Sequence, residues 1–144
     1  MQLLKERYGK KDMEIHKENT EQFAGIEYGD KNFDIEKYFG QMNDPTCSSY
    51  IKGPCGDFME FYLAVDSRGR IEDISYYTEG CGATRTCAAA VCIMALNKTI
   101  IDALSISAGE VISKIKGLPE DHKHCAILSV STLYRAIADY LLLP

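Results

Sequence analysis

The sequence has no apolar run long enough to cross a bilayer, which takes about 20 residues. It has no basic stripe and no interleaving of aromatic with basic residues. With a net charge of −5, that argues against a nucleic-acid binder. The stretch from Met1 to Arg7 lacks the apolar segment of a secretory signal, and acidic residues recur through it, unlike a transit peptide. A cytoplasmic protein without membrane contact is the expectation. No Cys-x-x-Cys occurs, which argues against an ordinary zinc ribbon and against a thioredoxin-type redox site. Internal repeats and low-complexity segments are also lacking.

What is present is a chain of 144 residues, 46% hydrophobic and 26% charged, enough for one domain with its own core. It contains six cysteines. An even number suits disulfides, but the signs of secretion are missing and a core of this size needs no staples. Thiols flanked by glycine in a reducing compartment are better read as ligands or nucleophiles.

Residues 1–32 are polar and charge-mixed, with only a weak helical pattern from Met13, Ile15, Phe23 and Ile26. They are expected to be an N-terminal extension, helical or partly ordered, ahead of a domain over 33–144. Phe33 to Phe39 suggests a short amphipathic helix ended by Gly40. Thr46 to Lys52 favours a strand. From Phe58 to Val65 the alternation of Met59, Phe61, Leu63 and Val65 predicts a second strand with one buried face. Asp66-Ser67-Arg68-Gly69 is a hairpin-length connection, and Arg70 to Thr78 reads as the returning strand.

After Gly80-Cys81-Gly82 the period changes. Ala83 to Leu96 is apolar or small all round except at Thr84, Arg85 and Thr86, the composition of a buried helix. Ile100 to Leu104 and Ala108 to Ile115 read as shorter helices, the second capped by Ser107 with Glu110 three residues on. A last helix begins near His122 or His124 and runs to Leu142, with Ile127, Val130, Tyr134, Ile137 and Leu141 as its expected core stripe. Three strands followed by helices make an α+β domain: a three-stranded antiparallel sheet with helices packed on one face and a long C-terminal helix.

The chemistry concentrates at three cysteines. Gly53-Pro54-Cys55-Gly56-Asp57 places a thiol and a carboxylate two residues apart in a loop between strands. Cys81 stands at the start of the buried helix, and Cys125, directly after His124, in the first turn of the last one. At helix starts the dipole and unpaired amides favour a thiolate, the form that metals and persulfide chemistry require. Cys87 and Cys92 fall inside the apolar helix and read as small buried residues; Cys47, in a strand, is open between burial and a place beside the site. Asp57 either caps its turn or acts as a hard, weak ligand among soft thiolates. His124 is either a solvated residue or an imidazole ligand. Adjacent helical residues diverge by about 100°, so His124 and Cys125 are not expected to bind one metal together.

These motifs resemble the iron–sulfur cluster assembly scaffolds of the IscU type, also found as the N-terminal domain of NifU. The matching residues are Gly53-Pro54-Cys55-Gly56-Asp57, then Gly80-Cys81-Gly82-Ala83, then His124-Cys125-Ala126-Ile127-Leu128. The intervals of 26 and 44 residues between the cysteines are similar to the family's. Asn43-Asp44-Pro45 and Ala136-Ile137-Ala138-Asp139-Tyr140 also look like it, so the likeness spans about 41–142.

The resemblance implies a carrier rather than a turnover enzyme. Cys55, Cys81 and Cys125 would take sulfur from a cysteine desulfurase, with Cys125 as a persulfide acceptor, and bind iron. A transient [2Fe–2S] cluster would form, with Asp57 or His124 as fourth ligand, and pass to apo acceptor proteins. The same site would carry zinc, and two chains sharing one cluster would make a homodimer. Two alternatives stand beside it: a zinc-bound sulfur acceptor of the SufU type that partners a desulfurase, and a structural zinc module. The SufU-type insertion before the third cysteine is absent. Where the family carries Leu-Pro-Pro-Val-Lys, this chain reads Leu118-Pro119-Glu120-Asp121-His122-Lys123, which argues against hand-over through the dedicated Hsp70-type chaperone.

Overall fold

The computed structural model describes residues 27–28, 34–54 and 56–144. The expectation for residues 1–32 therefore lies outside the described residues, apart from one pair. Glu27–Tyr28 forms a two-residue strand, β1.

Three strands form an antiparallel meander: β2 (Cys47–Lys52), β3 (Phe58–Val65) and β4 (Ile71–Tyr77), in the order β2-β3-β4. Register follows side-chain patterning. Leu63 lies opposite Ile74 and Phe61 opposite Tyr76, so that one face is apolar across both strands. Met59, Phe61 and Leu63 are wholly buried, as their alternation predicts. Burying each contributes about 1.5–3 kcal/mol relative to exposure.

Helix α1 (Gly82–Ala95) lies against β4, and the last helix, α4 (His124–Leu141), lies across β2 and β3 and against α1. The sheet thus carries its helices on one face, an α+β fold. Between them come α2 (Ile100–Ala103) and α3 (Ala108–Lys114). The Ser107 side chain caps α3 by accepting from the Glu110 amide at 3.1 Å. After α3, β5 (Ile115–Lys116) pairs with β1 in a separate two-stranded ribbon that sequence patterning did not reveal. Among the described residues no helix is long and apolar enough to cross a membrane.

Two expectations are corrected. Residues 35–38 form turns, not a helix. Asp34 Oδ1 accepts from the Glu36 amide at 2.9 Å, a local bond that competes with helix formation. The segment then runs beside β4, where Phe39 bridges to Tyr76 and the Tyr76 hydroxyl donates to the Ile35 carbonyl at 2.6 Å. In α4 the core face is shifted from the expected stripe. Val130 and Ile137 are buried, but Ile127 is 58% exposed, Leu141 54% and Tyr134 37%. The inward face holds Cys125, Ala126, Ser129, Thr132, Leu133 and Ala136 instead. Ser129 and Thr132 fit there because each hydroxyl donates to the carbonyl four residues earlier, at 2.8 and 2.6 Å.

Candidate functional site

At one end of the sheet the chain makes two connections, β2 to β3 and β4 to α1, and α4 begins beside them. The first is the loop 53–57. Its backbone closes on itself: the Gly56 amide donates to the Gly53 carbonyl at 3.1 Å, and the Gly53 amide to the Asp57 carbonyl at 2.6 Å. Gly56 has φ +93°, which glycine adopts without strain. Cys55 lies outside the described residues, between Pro54 and Gly56.

The second connection is tied to the first. The Thr78 hydroxyl donates to the Phe58 carbonyl at 2.5 Å and accepts from the Gly80 amide at 3.1 Å. This bond holds the entry to α1 beside the residue after Asp57. Cys81 is the N-cap of α1 with extended backbone, and its side chain makes no capping bond. Its sulfur instead faces Thr84, one turn along the same helix face.

Thr84 is where three of the expected residues meet. Its buried hydroxyl lies 3.4 Å from Asp57 Oδ2, 3.5 Å from Cys125 Sγ and 3.7 Å from Cys81 Sγ. A hydroxyl has one proton to give and two lone pairs to receive with. Thr84 donates to the Asp57 carboxylate, and its lone pairs are left facing the two sulfurs, where either atom can be the donor. Asp57 therefore points across to α1. Three elements each contribute one group: the β2–β3 loop, the N-terminus of α1 and the first turn of α4.

His124 is exposed, yet its Nε2 lies 3.8 Å from Cys125 Sγ. The divergence expected of adjacent helical residues does not separate them here, because at the first turn the imidazole folds back over its neighbour. Its ring stacks on His122 with centroids 6.2 Å apart. An apolar groove of about 290 Å³ includes His124 in its lining, with Ile51, Lys52, Gly53, Pro54, Ile127, Leu128 and Ser131.

The other thiols stand apart in character. Cys47, Cys87 and Cys92 are buried, and none of the described cysteines is in a disulfide. Cys47 starts β2, about 17 Å along the strand from the site at roughly 3.3 Å per residue. Burial pushes its thiol up to about 12, with the nearby Asp139 carboxylate adding to the effect. Burial likewise raises the Cys87 thiol, with smaller contributions from Cys125 and Cys81.

Two residues escaped the sequence reading. In the sequence Thr84 is only a polar interruption of an apolar helix; its one signal is the spacing of three from Cys81. Arg85 is buried, its guanidinium 5.8 Å from the Phe39 ring centre. Desolvation pushes it below the usual arginine range, partly offset by Tyr76, Cys81, Glu36 and Tyr77. It holds a positive charge within electrostatic reach of Cys81.

Two thiols, a carboxylate and an imidazole in one neighbourhood, with a third thiol in the loop sequence, are a donor set suited to iron or zinc. Among the described residues, no three His, Cys, Asp or Glu side chains stand at metal-binding spacing. The hydrogen bonds to Thr84 are longer than metal bonds, and closure onto a metal requires the groups to draw together.

Comparison with known proteins gives the lineage. The model of the NifU-like N-terminal domain matches residues 32–143. The iron–sulfur cluster assembly scaffold protein IscU 1 of Archaeoglobus fulgidus is 38% identical over 117 residues, covering 78% of this chain and 76% of that protein. The scaffold protein IscU of Aquifex aeolicus is 35% identical over 122 residues, covering 81% of this chain and 78% of its own. Among solved structures, a candidate cluster assembly scaffold for the SUF system from Fervidobacterium islandicum superposes with a TM-score of 0.57 at 17% identity, over 71% of this chain and 88% of the other. At that identity the structural likeness speaks for the fold alone, whereas the domain match and the two IscU relatives carry the conclusion: the chain belongs to the family of NifU-like N-terminal domains.

Proposed function

We propose that this protein is a scaffold on which an iron–sulfur cluster is assembled and from which it is released to acceptor proteins. The observation that carries the reading is the meeting of Asp57, Cys81 and Cys125 around one hydroxyl, with His124 beside Cys125. The IscU scaffolds that it matches at 35–38% identity support the same role. The protein acts as a carrier: the cluster is its cargo, and no turnover chemistry is assigned to it.

In this reading Cys55, Cys81 and Cys125 are the thiolate ligands of a [2Fe–2S] cluster. Asp57 is the fourth ligand, with His124 as the competing candidate. A carboxylate is hard where the cluster irons are better served by thiolate, so a site with one oxygen ligand holds its cargo less firmly than four thiolates would. Weak holding suits delivery.

Sulfur arrives from a cysteine desulfurase. The Cys125 thiolate attacks the outer sulfur of the donor persulfide, the donor's S–S bond breaks, and the donor thiolate leaves. Reducing that sulfur to sulfide takes two electrons from an external reductant. The apolar groove beside His124 gives the donor or an acceptor a surface within reach of the site.

Anaerobic reconstitution with ferrous iron, sulfide and a thiol, followed by visible absorption and by iron and sulfide content, tests the reading. The expected result is a cluster chromophore that Cys55→Ala abolishes. A wild-type protein that retains zinc and stimulates a desulfurase, yet forms no chromophore, would replace it with the sulfur-acceptor reading. Unfolding on chelation of zinc would point to a structural zinc module.

A further inference from the structure

Four buried hydroxyls lie in α1 and α4 among the described residues: Thr84, Thr86, Ser129 and Thr132. Three of them do the ordinary thing for a helix. Thr86 donates to the Gly82 carbonyl, Ser129 to that of Cys125, and Thr132 to that of Leu128, each four residues back. Thr84 differs. Its hydroxyl leaves the helix and is shared by Asp57, Cys81 and Cys125, groups from three elements.

The side chain is also held where it is. A methyl group added at Gly80 would stand 2.9 Å from Thr84 Oγ1 and 3.0 Å from its Cβ and Cγ2, so glycine is the residue that lets the chain pass this close. Ala83, Cys87 and Ala88 around it in α1 are wholly buried. A β-branched side chain in a helix has few rotamers, so little freedom is left to the hydroxyl.

We propose that Thr84 is the positioning residue of the metal site. Its hydroxyl sets the relative placement of Asp57, Cys81 and Cys125, and it remains a hydrogen-bond donor to a ligand sulfur or carboxylate oxygen when metal is bound. A hydrogen bond to a metal ligand orients that ligand and withdraws charge from it. Hydrogen bonds to cluster sulfurs also help to set reduction potential. The inference deepens the scaffold reading and rests on it for the identity of the cargo. The hydrogen-bond geometry stands without it.

The test uses Co²⁺ as the probe, because its thiolate charge-transfer and d–d bands report ligand type and geometry without cluster assembly. Thr84→Val keeps the shape and removes the hydroxyl; Thr84→Ser keeps the hydroxyl. Thr84→Val is expected to weaken Co²⁺ binding by about 10–100-fold and to change the charge-transfer bands, while Thr84→Ser stays near wild type in both. Circular dichroism and a melting curve establish that each variant is folded. Should Thr84→Val fail to fold, the Ser and Ala variants make the same comparison.

If a variant lacking the hydroxyl binds Co²⁺ with the wild-type affinity and spectrum, the proposal is overturned. If loss of affinity is not restored by Ser, the role is one of packing and the proposal is equally overturned. Reconstitution run in parallel separates the two claims. A wild type that forms no cluster chromophore but shows the Val and Ser pattern with Co²⁺ would lose the scaffold reading and keep Thr84. A wild type that forms the cluster, with a Thr84→Val indistinguishable from it in Co²⁺ binding, would do the reverse.

Discussion

The two ends of the same sheet share one backbone turn but put its aspartate to different uses. At the end away from the site, β3 turns into β4 through residues 66–70, and Asp66 is consumed by the turn. Its Oδ1 accepts from the Arg68 amide at 2.8 Å and the Arg70 amide at 3.0 Å. At the site end, β2 turns into β3 through residues 53–57, closed by the same pair of backbone bonds: the Gly53 amide donates to the Asp57 carbonyl and the Gly56 amide to that of Gly53, as the Asp66 amide donates to the Arg70 carbonyl and the Gly69 amide to that of Asp66. Asp57 meets Thr84 on another element instead. Two aspartates in two strand connections thus have opposite uses. Position decides which: Asp66 stands first in its loop, where its carboxylate reaches two amides of the turn, and Asp57 stands last, where its carboxylate reaches α1.

Removing thiols should give the largest contrast between the ends. Cys81→Ala or Cys125→Ala is expected to leave almost no chromophore after reconstitution, with a stoichiometry of bound iron near zero. Cys47→Ala, at the other end of β2, should still form the cluster even though it costs stability, since it empties a buried position. Iron and sulfide analysis beside a thermal melt separates the two outcomes. A Cys125→Ala protein that kept a full cluster would break the comparison at its centre.

Asp57 should show a smaller and more telling effect. With Asp57→Ala the reconstituted cluster is expected to persist longer, and transfer to an apo-ferredoxin to slow several-fold. The melting temperature should hardly change, because the turn does not depend on this carboxylate. Transfer kinetics from anaerobically loaded protein decide it. Equal or faster release would mean that Asp57 does not serve as the weak ligand, and His124 would become the candidate to test next.

The sequence revealed most of the architecture, for identifiable reasons. Met59, Phe61 and Leu63 alternate so regularly that β3 was legible to the residue. The apolar composition of Ala83 to Leu96 left no alternative to a buried helix, found one residue earlier at both ends, and Ser107 marked the start of α3. The resemblance through three motifs then supplied the candidate site residues. What escaped was decided by partners distant in sequence. Apolar periodicity misplaces the core face of α4 because it favours large apolar side chains over Ser129 and Thr132, whose hydroxyls are satisfied within the helix itself. β1 and β5 are two residues each, too short for any periodicity. Thr84 is legible only once α1 and α4 are packed together, because two of its three partners lie 27 and 41 residues away.

Asp66 should give the smallest effect, and its sign follows from the structure. The Arg70 and Arg68 amides beside the carboxylate hold it below its ordinary value of 3.8. The folded state therefore releases this proton more readily than the unfolded chain does. Stability from this group is fully present once the pH is above the unfolded value, and it is lost as the pH falls through the lower folded one. Asp66→Asn should thus lower the melting temperature by a small amount at neutral pH, with the deficit shrinking as the pH drops below about 4. Melting curves of the variant and the wild type across that range check it. A deficit that is absent at neutral pH, or that does not shrink in acid, would mean that the Asp66 carboxylate contributes nothing to its turn, and the contrast with Asp57 would go with it.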